Sequence, residues 1–298
     1  MAKLVCFGFG YCAEHFIMEF GGKFERVIGS VRRAERAGIL NAYQAGAVRA
    51  LVFDGMRVTA ELESAIAAAD YALVSVPPDA GGDPVLAACG GALAARVGLR
   101  SVVYLSTVGV YGDRGGGWVD EQTPPAPISE RSRWRVAAEQ AWKQFGARHG
   151  VRVAVLRLAG IYGPGQNALV QLARGKARRI VKLGQVFNRI HVGDIAQAID
   201  AAFARGADGV FNLADDEPSP PADPIVFAAQ LMGREPPPEI PFAQAAPSMS
   251  EMGLSFWQEC RRVRNAKLKH ELGVRLRYPT YREGLRALFA EISAGSGL

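Results

Sequence analysis

Near the amino end, Gly8-Phe9-Gly10-Tyr11-Cys12-Ala13 sets two glycines and a small residue at the spacing Gly-x-Gly-x-x-Gly/Ala. Each type answers a chemical need. Gly8 permits a tight turn, Gly10 has no side chain to hold a diphosphate off the backbone, and Ala13 lets a following helix pack close. A helix opening there presents unpaired N–H groups and the positive end of its dipole, which together bind phosphate. Further on, Ser30-Val31-Arg32-Arg33 offers hydroxyl and guanidinium groups, with Arg32 22 residues after Gly10. A dinucleotide unit that takes NAD carries an Asp or Glu about there, for the ribose 2′-hydroxyl. A guanidinium instead suits a 2′-phosphate, through charge-assisted hydrogen bonds that a carboxylate would oppose. The expected cofactor is therefore NADP, in preference to NAD.

Such groups need elements to position them. Leu4-Val5-Cys6-Phe7 is an apolar run of strand length before the turn; Ala13, Phe16, Ile17 and Phe20 recur at helical spacing after it, and Gly21-Gly22 marks a stop. Further strands are expected over Arg26–Val31, over Ala50–Phe53 ending at Asp54, and over Tyr71–Val76 ending at Pro77-Pro78. Asp83-Pro84 reads as a helix N-cap followed by proline at the first helical position, opening a helix to about Ala95. A fifth strand, Ser101–Leu105, precedes Ser106-Thr107. A helix from about Ser129 to His149 follows, with Trp134, Ala138, Ala141 and Phe145 toward the core, and then a strand over Val151–Leu158. Asp194 is expected to cap a helix Ile195–Phe203, and Val210–Leu213 to return as the last sheet strand. Pro218–Pro224 and Pro236–Pro241 read as turns and connections. Strands alternating with helices, without a self-similar period, argue an α/β fold with a doubly wound parallel sheet of Rossmann type. Ligands in such sheets lie beyond the carboxyl ends of the strands, which puts Asp54 and Ser75-Val76-Pro77 beside the cofactor.

Composition narrows the class. With 49% hydrophobic and 21% charged residues the chain can build a packed core, and no apolar run is long enough to span a membrane. Cys6, Cys12, Cys89 and Cys260 form no Cys-x-x-Cys pair and no metal spacing, so reduced thiols and no bound metal are expected. A strand-like start, without a basic stretch leading to a cleavage site, gives the expectation of a cytoplasmic protein lacking a signal peptide. The net charge of +6 comes without basic runs interleaved with aromatics, so neither nucleic acid nor membrane is an expected partner.

Several motifs carry a resemblance. Leu105-Ser106-Thr107-x-x-Val110-Tyr111-Gly112, Leu156-Arg157-Leu158-x-Gly160-Ile161-Tyr162-Gly163-Pro164 and Ile190-His191-Val192-x-Asp194 resemble the extended short-chain dehydrogenase/reductases, the NAD-dependent epimerase/dehydratase-like proteins. Arg261-Arg262-Val263-x-Asn265, Glu271-Leu272-Gly273 and Tyr278-Pro279 are similar to that group as well, so the resemblance covers nearly the whole chain. The Gly-x-Gly-x-x-Ala spacing resembles its atypical branch.

The resemblance implies a dinucleotide-binding part, residues 1–165 plus 189–216, and a smaller substrate or cap region, residues 166–188 plus 217–298. It implies a small-molecule substrate, anionic or nucleotide-linked, and a homodimer is common in the group. The cofactor would lie across Gly8, Gly10 and Tyr11, its 2′-phosphate near Ser30, Arg32 and Arg33, its adenine near Asp54, and its nicotinamide beside Thr107 and Gly160-Ile161. Family enzymes use a Ser or Thr after the fifth strand, then a Tyr and a Lys four residues apart that move the proton. Thr107 takes the first position, with Ser106 beside it. Counting back from Ala137-Ala138-Glu139, the Tyr slot falls on Arg131 and the Lys slot on Arg135. Thr107, Arg131 and Arg135 are thus the candidate catalytic residues, although an arginine is always protonated and serves as neither acid nor base. Arg135 can hold ribose hydroxyls or a phosphate and Arg131 an anionic substrate; both are equally readable as a basic helix surface. Tyr111 and Tyr162 are expected to pack, and His191 to be a hydrogen-bonded structural residue. The expected function is an NADP(H)-dependent oxidoreductase or epimerase. Its alternative is a catalytically silent NADP(H)-sensing protein that keeps the pocket without the chemistry.

Overall fold

Strands that are apolar at consecutive positions have no face to give to water, so they must lie between two helical layers. In the computed structural model, which describes residues 2–43 and 48–294, the chain does this with β1 (Ala2–Phe7), α1 (Tyr11–Phe20), β2 (Phe24–Val31), α2 (Ala34–Tyr43) and β3 (Arg49–Val52). Next come α3 (Ala60–Ala68), β4 (Tyr71–Val74), α4 (Pro84–Ala95), β5 (Ser101–Thr107), β6 (Trp118–Val119), α5 (Glu130–His149) and β7 (Arg152–Leu158). They are followed by β8 (Gly160–Tyr162), α6 (Ala168–Ala173), β9 (Arg179–Val181), β10 (Arg189–His191), α7 (Val192–Arg205) and β11 (Gly209–Leu213). The remainder is α8 (Asp223–Leu231), β12 (Glu239–Pro241), α9 (Phe242–Ala245), α10 (Glu251–Trp257), β13 (Arg262–Val263), α11 (Ala266–His270) and α12 (Tyr281–Ala294). Residue 1 and residues 295–298, the ends of the expected two-part division, lie outside the described residues.

The central sheet runs β11-β7-β5-β4-β1-β2-β3, every neighbouring pair parallel. Its order reverses at β1, between β2 and β4, which opens a crevice at the carboxyl ends of those strands. Alternation along β1 shows how the layers are held. Leu4 and Cys6 face Phe16 of α1 and Ile195 and Ile199 of α7, while Val5 and Phe7 face Ile66 of α3, Leu93 of α4 and Trp142 of α5. Each fully buried side chain of this size contributes about 1.5–3 kcal/mol. A smaller apolar cluster joins Tyr162 of β8, Leu169 of α6, Ala228 of α8, and Tyr281 and Leu285 of α12. Among the described residues, no helix is long and apolar enough to cross a membrane.

Three local expectations are corrected. On α5 the core-facing stripe is Ala138, Glu139, Trp142 and Phe145, with Trp134 and Ala141 only half-buried. That face is centred on a buried carboxylate, and a stripe of apolar residues cannot reveal it. Second, α7 starts earlier than expected and its N-cap is His191, whose Nδ1 accepts from the Gly193 amide at 3.1 Å. Asp194 is instead fully buried and accepts from the backbone amides of Arg277 at 2.7 Å and Tyr278 at 3.2 Å, so a distant loop takes the carboxylate. Third, Glu239–Pro241 pairs as a short strand with β9. An edge strand tolerates the missing proline N–H.

Candidate functional site

The glycine turn is held from behind. Gly8 has φ +85°, its amide donates to Ser30 Oγ at 3.0 Å, and Ser75 Oγ donates to its carbonyl at 2.5 Å. A Cβ on Gly8 would stand 2.7 Å from Ser75 Oγ and 3.0 Å from the Val76 amide nitrogen, so only glycine fits. Gly10 is extended, and a Cβ built on it meets nothing within 4 Å: it looks into open space. No side chain caps α1, whereas Thr59, Asp83, Ser129 and His191 cap α3, α4, α5 and α7. The first-turn amides of α1 are therefore left for an acceptor from outside the helix.

Around that turn the expected contacts sort themselves. Ser30 is 1% exposed and its hydroxyl is engaged by Gly8, so it shapes the turn rather than reaching a ligand, a correction that follows from its inward position on β2. Arg32 and Arg33 stand exposed just past β2, and neither forms an ion pair among the described residues. The neighbouring Arg36 is tied to Glu14 of α1. Asp54 is exposed, and its Oδ1 accepts from the Arg57 and Met56 amides at 2.9 Å. Those bonds hold its carboxyl below the usual range, so it caps its own turn. Tyr11 donates its hydroxyl to Pro164 O at 3.0 Å, linking α1 to the loop after β8, and burial pushes its phenol up to about 12.

A cleft of about 760 Å³ opens beside these residues. Ser75 and Pro77 after β4, Ser106 and Thr107 of β5, Arg131 and Arg135 of α5, and Gly160 and Ile161 of β8 all line it. Gly8, Gly10, Tyr11, Ser30, Arg32, Arg33, Asp54 and Val76 are not among its lining residues and belong to the turn side. Thr107 Oγ1 accepts from the Gly109 amide at 3.1 Å, which leaves its proton without an acceptor among the described residues. Arg135 Nη1 donates to Leu105 O at 2.9 Å and to the Tyr104 hydroxyl at 3.1 Å, pinning the guanidinium at the end of β5. Arg131, one turn earlier on α5, is exposed.

Behind this wall lies a buried polar network. Ser106 Oγ donates to Glu139 Oε1 at 2.5 Å, and Arg157 Nη2 meets Glu139 Oε2 at 2.7 Å, both charged side chains being under 5% exposed. The Arg157 guanidinium lies 4.8 Å from the centre of the Tyr111 ring, whose hydroxyl donates to Asn212 Oδ1 at 2.7 Å. Tyr111 is thus held away from the cleft, and the Ser106 proton points away from it too. Tyr162 lines the cleft but gives its hydroxyl to Thr280 O at 3.3 Å, and burial raises its phenol. His191 is 4% exposed, packed edge-on against Tyr162 and tilted against Tyr278, and burial pulls its imidazole down to about 4.

Sequence reasoning assigned no role to Arg189, Arg261 or Tyr281, yet all three line the cleft. They come from β10, the segment before β13, and the first residue of α12. The only signal was proximity to motifs, since Arg189 precedes Ile190-His191 and Arg261 opens the tail motif.

With the geometry in hand, the chain can be set beside known proteins. The model of the NAD dependent epimerase/dehydratase family matches residues 81–214. A conserved protein of unknown function from Silicibacter pomeroyi is 44% identical, with a TM-score of 0.85 over 98% of this chain and 99% of its own. MoeE5, solved with UDP-glucuronic acid and NAD, shares the fold at 20% identity and a TM-score of 0.76, covering 99% of this chain and all of its own. A 3-diazoavenalumate denitrifying reductase from a Streptomyces species is 26% identical over 200 residues, 64% of this chain. The match spans 66% of that reductase's length.

Proposed function

From the match of residues 81–214 to the NAD dependent epimerase/dehydratase family model, and from a fold shared with solved epimerases and dehydratases, we propose that the chain is an NADP(H)-dependent oxidoreductase or epimerase of the extended short-chain dehydrogenase/reductase superfamily acting on a small anionic molecule. One observation carries the reading: the uncapped start of α1 opens beside a cleft lined, among the described residues, by four arginines, Arg131, Arg135, Arg189 and Arg261, and by a single carboxylate, Glu259. Such a surface attracts anions at both ends.

The residues present fit the nucleotide. The α1 amides, with Gly10 giving clearance, would hold the diphosphate; Arg32 and Arg33 would face the 2′-phosphate, with the adenine beside the Asp54 turn. Once bound, the nicotinamide would supply or accept hydride at a substrate carbon. Thr107, whose hydroxyl proton is free, would orient the substrate oxygen, and Arg135, fixed by Leu105 O, would hold ribose hydroxyls. Arg131 cannot give a proton and would act by stabilising negative charge on that oxygen. In this reading residues 1–165 with 189–216 bind the nucleotide, and residues 166–188 with 217–298 the substrate. The Streptomyces relative is named a reductase, which favours hydride transfer. Calorimetry with NADPH and NADP⁺, followed by absorbance assays over a panel of carbonyl compounds and nucleotide sugars, tests the reading. Binding with turnover supports it, and absence of nucleotide binding overturns it.

Arg131 in the slot of the family phenol favours a second reading, a protein that binds NADP(H) without turning over. Turnover that appears only when Arg131→Tyr and Arg135→Lys are combined would establish it.

A further inference from the structure

Where α8 and α12 border the cleft, Arg189 and Tyr281 come together. The Arg189 guanidinium lies 5.6 Å from the centre of the Tyr281 ring. Its Nη1 donates to Phe187 O at 3.2 Å and Ser219 Oγ at 2.8 Å, while its Nε and Nη2 find no acceptor among the described residues. Tyr281 is 1% exposed, and its hydroxyl is buried with no hydrogen-bond partner among the described residues. A buried donor left unpaired is rare, and the Tyr281 hydroxyl beside the open edge of the half-buried Arg189, in one cavity, calls for an acceptor from outside the chain.

Charge and shape restrict that acceptor. Asp215, the buried carboxylate near Arg189, is pushed up to about 8 by burial, and its Oδ2 finds no hydrogen-bond partner among the described residues. Asp223 and Glu217 also face this corner; Arg282 pairs with Glu217 at 2.9 Å, and Asp223 lies in the field of both Arg189 and Arg282. Arg261 is already paired with Glu259 at 2.6 Å. The open Nε and Nη2 edge of Arg189 and the Tyr281 hydroxyl form a set of donors that suits two oxygens sharing a single negative charge. A diphosphate would bring more charge than this corner balances. The walls beside the pair are Pro221, Pro224 and Ile225 at the start of α8 and Leu285, one turn after Tyr281. These four are apolar, whereas Gln166, Asn167 and Gln171 line the cleft from the α6 side.

We propose that this corner is a carboxylate pocket, in which Arg189 and Tyr281 bind the carboxylate of a substrate whose remaining body is apolar. The inference rests on the reading of the cleft as a substrate site and narrows its substrate class. A bidentate guanidinium–carboxylate pair would fix the orientation of the acid, with the tyrosine hydroxyl donating a third hydrogen bond. The apolar walls would desolvate the rest of the molecule.

Calorimetry on the full chain tests it, using trans-cinnamate as the probe, cinnamamide as its neutral counterpart, and UDP-glucose and inorganic phosphate as rivals, each with and without NADP⁺. Cinnamate should bind at least about tenfold tighter than cinnamamide. Arg189→Lys, which keeps the charge but loses the planar fork, should weaken cinnamate roughly tenfold, and Tyr281→Phe should weaken it about threefold to tenfold, both leaving NADP⁺ affinity unchanged. Cinnamate affinity indifferent to both substitutions would overturn the pocket, as would UDP-glucose or phosphate binding that is tighter and falls with Arg189→Lys. Nucleotide binding with no carboxylate binding sinks this inference alone. Carboxylate binding without nucleotide binding preserves the pocket and sinks the cofactor reading.

Discussion

Helices α1 and α7 pack side by side on one face of the sheet, and they treat their first turns in opposite ways. Gly10 gives α1 no side-chain acceptor, so its leading amides stay open. At α7 the His191 ring accepts from Gly193, and the buried Asp194 lies in the same first turn. Capping a helix stabilises it, so an uncapped start beside a cleft means that stability has been given up for an available donor set. A helix start is thus either closed by its own residues or left for a ligand, and a single residue decides which.

The largest expected effect comes from closing α1. Gly10 has extended φ and open space around it, so Gly10→Asp should fold and supply the missing cap. It should raise unfolding free energy by only about 0.3 kcal/mol, read by urea denaturation, and weaken NADP(H) a hundredfold or more, about 3 kcal/mol, by placing a carboxylate against the diphosphate. Unchanged nucleotide affinity would show that these amides hold nothing.

The cap on α7 should show in acid. Burial holds the folded His191 near 4, below the unfolded value of about 6.5, so its contribution to stability is present above pH 6.5 and is lost as pH falls through 4. The loss is about 3 kcal/mol across that window, and His191→Asn, which keeps an acceptor, should remove that part of the pH dependence. Urea midpoints at pH 7 and pH 4 for both proteins read it out; parallel curves would mean that the ring titrates normally.

Arg32→Asp sharpens the ligand side of the contrast. It should lower NADP affinity by roughly ten- to a hundredfold, about 1.5–3 kcal/mol, with much less effect on NAD. Equal losses for both nucleotides would remove the 2′-phosphate assignment. Smallest is Thr59→Ala, which removes the α3 cap bonded to the Leu62 amide at 3.3 Å. That should lower stability by about 1 kcal/mol and leave nucleotide binding untouched, because α3 closes on itself.

Much of the architecture was legible along the chain. The glycine turn, the strand–helix alternation and the Asp83-Pro84 helix start are local patterns, and the seven-stranded parallel sheet follows from them. Legibility failed where a polar residue is buried by something distant. Glu139 falls outside the apolar stripe expected of α5 until Arg157, on β7, takes its carboxylate; Asp194 reads as a cap until the loop at Arg277 and Tyr278 claims it. Ser30 reads as a ligand for phosphate until Gly8 turns back onto it.

By itself, the order of residues determined the sheet, the uncapped turn at Gly10 and the arginines after β2, because each depends on neighbours within one strand–turn–helix unit. Only the tertiary structure decided that Thr107, Arg135, Arg189 and Tyr281 share a cleft and that, among the described residues, the Arg189 edge and the Tyr281 hydroxyl find no acceptor there. The reason is physical: whether a donor is satisfied depends on acceptors far away in the chain, and folding alone brings them near or leaves them out.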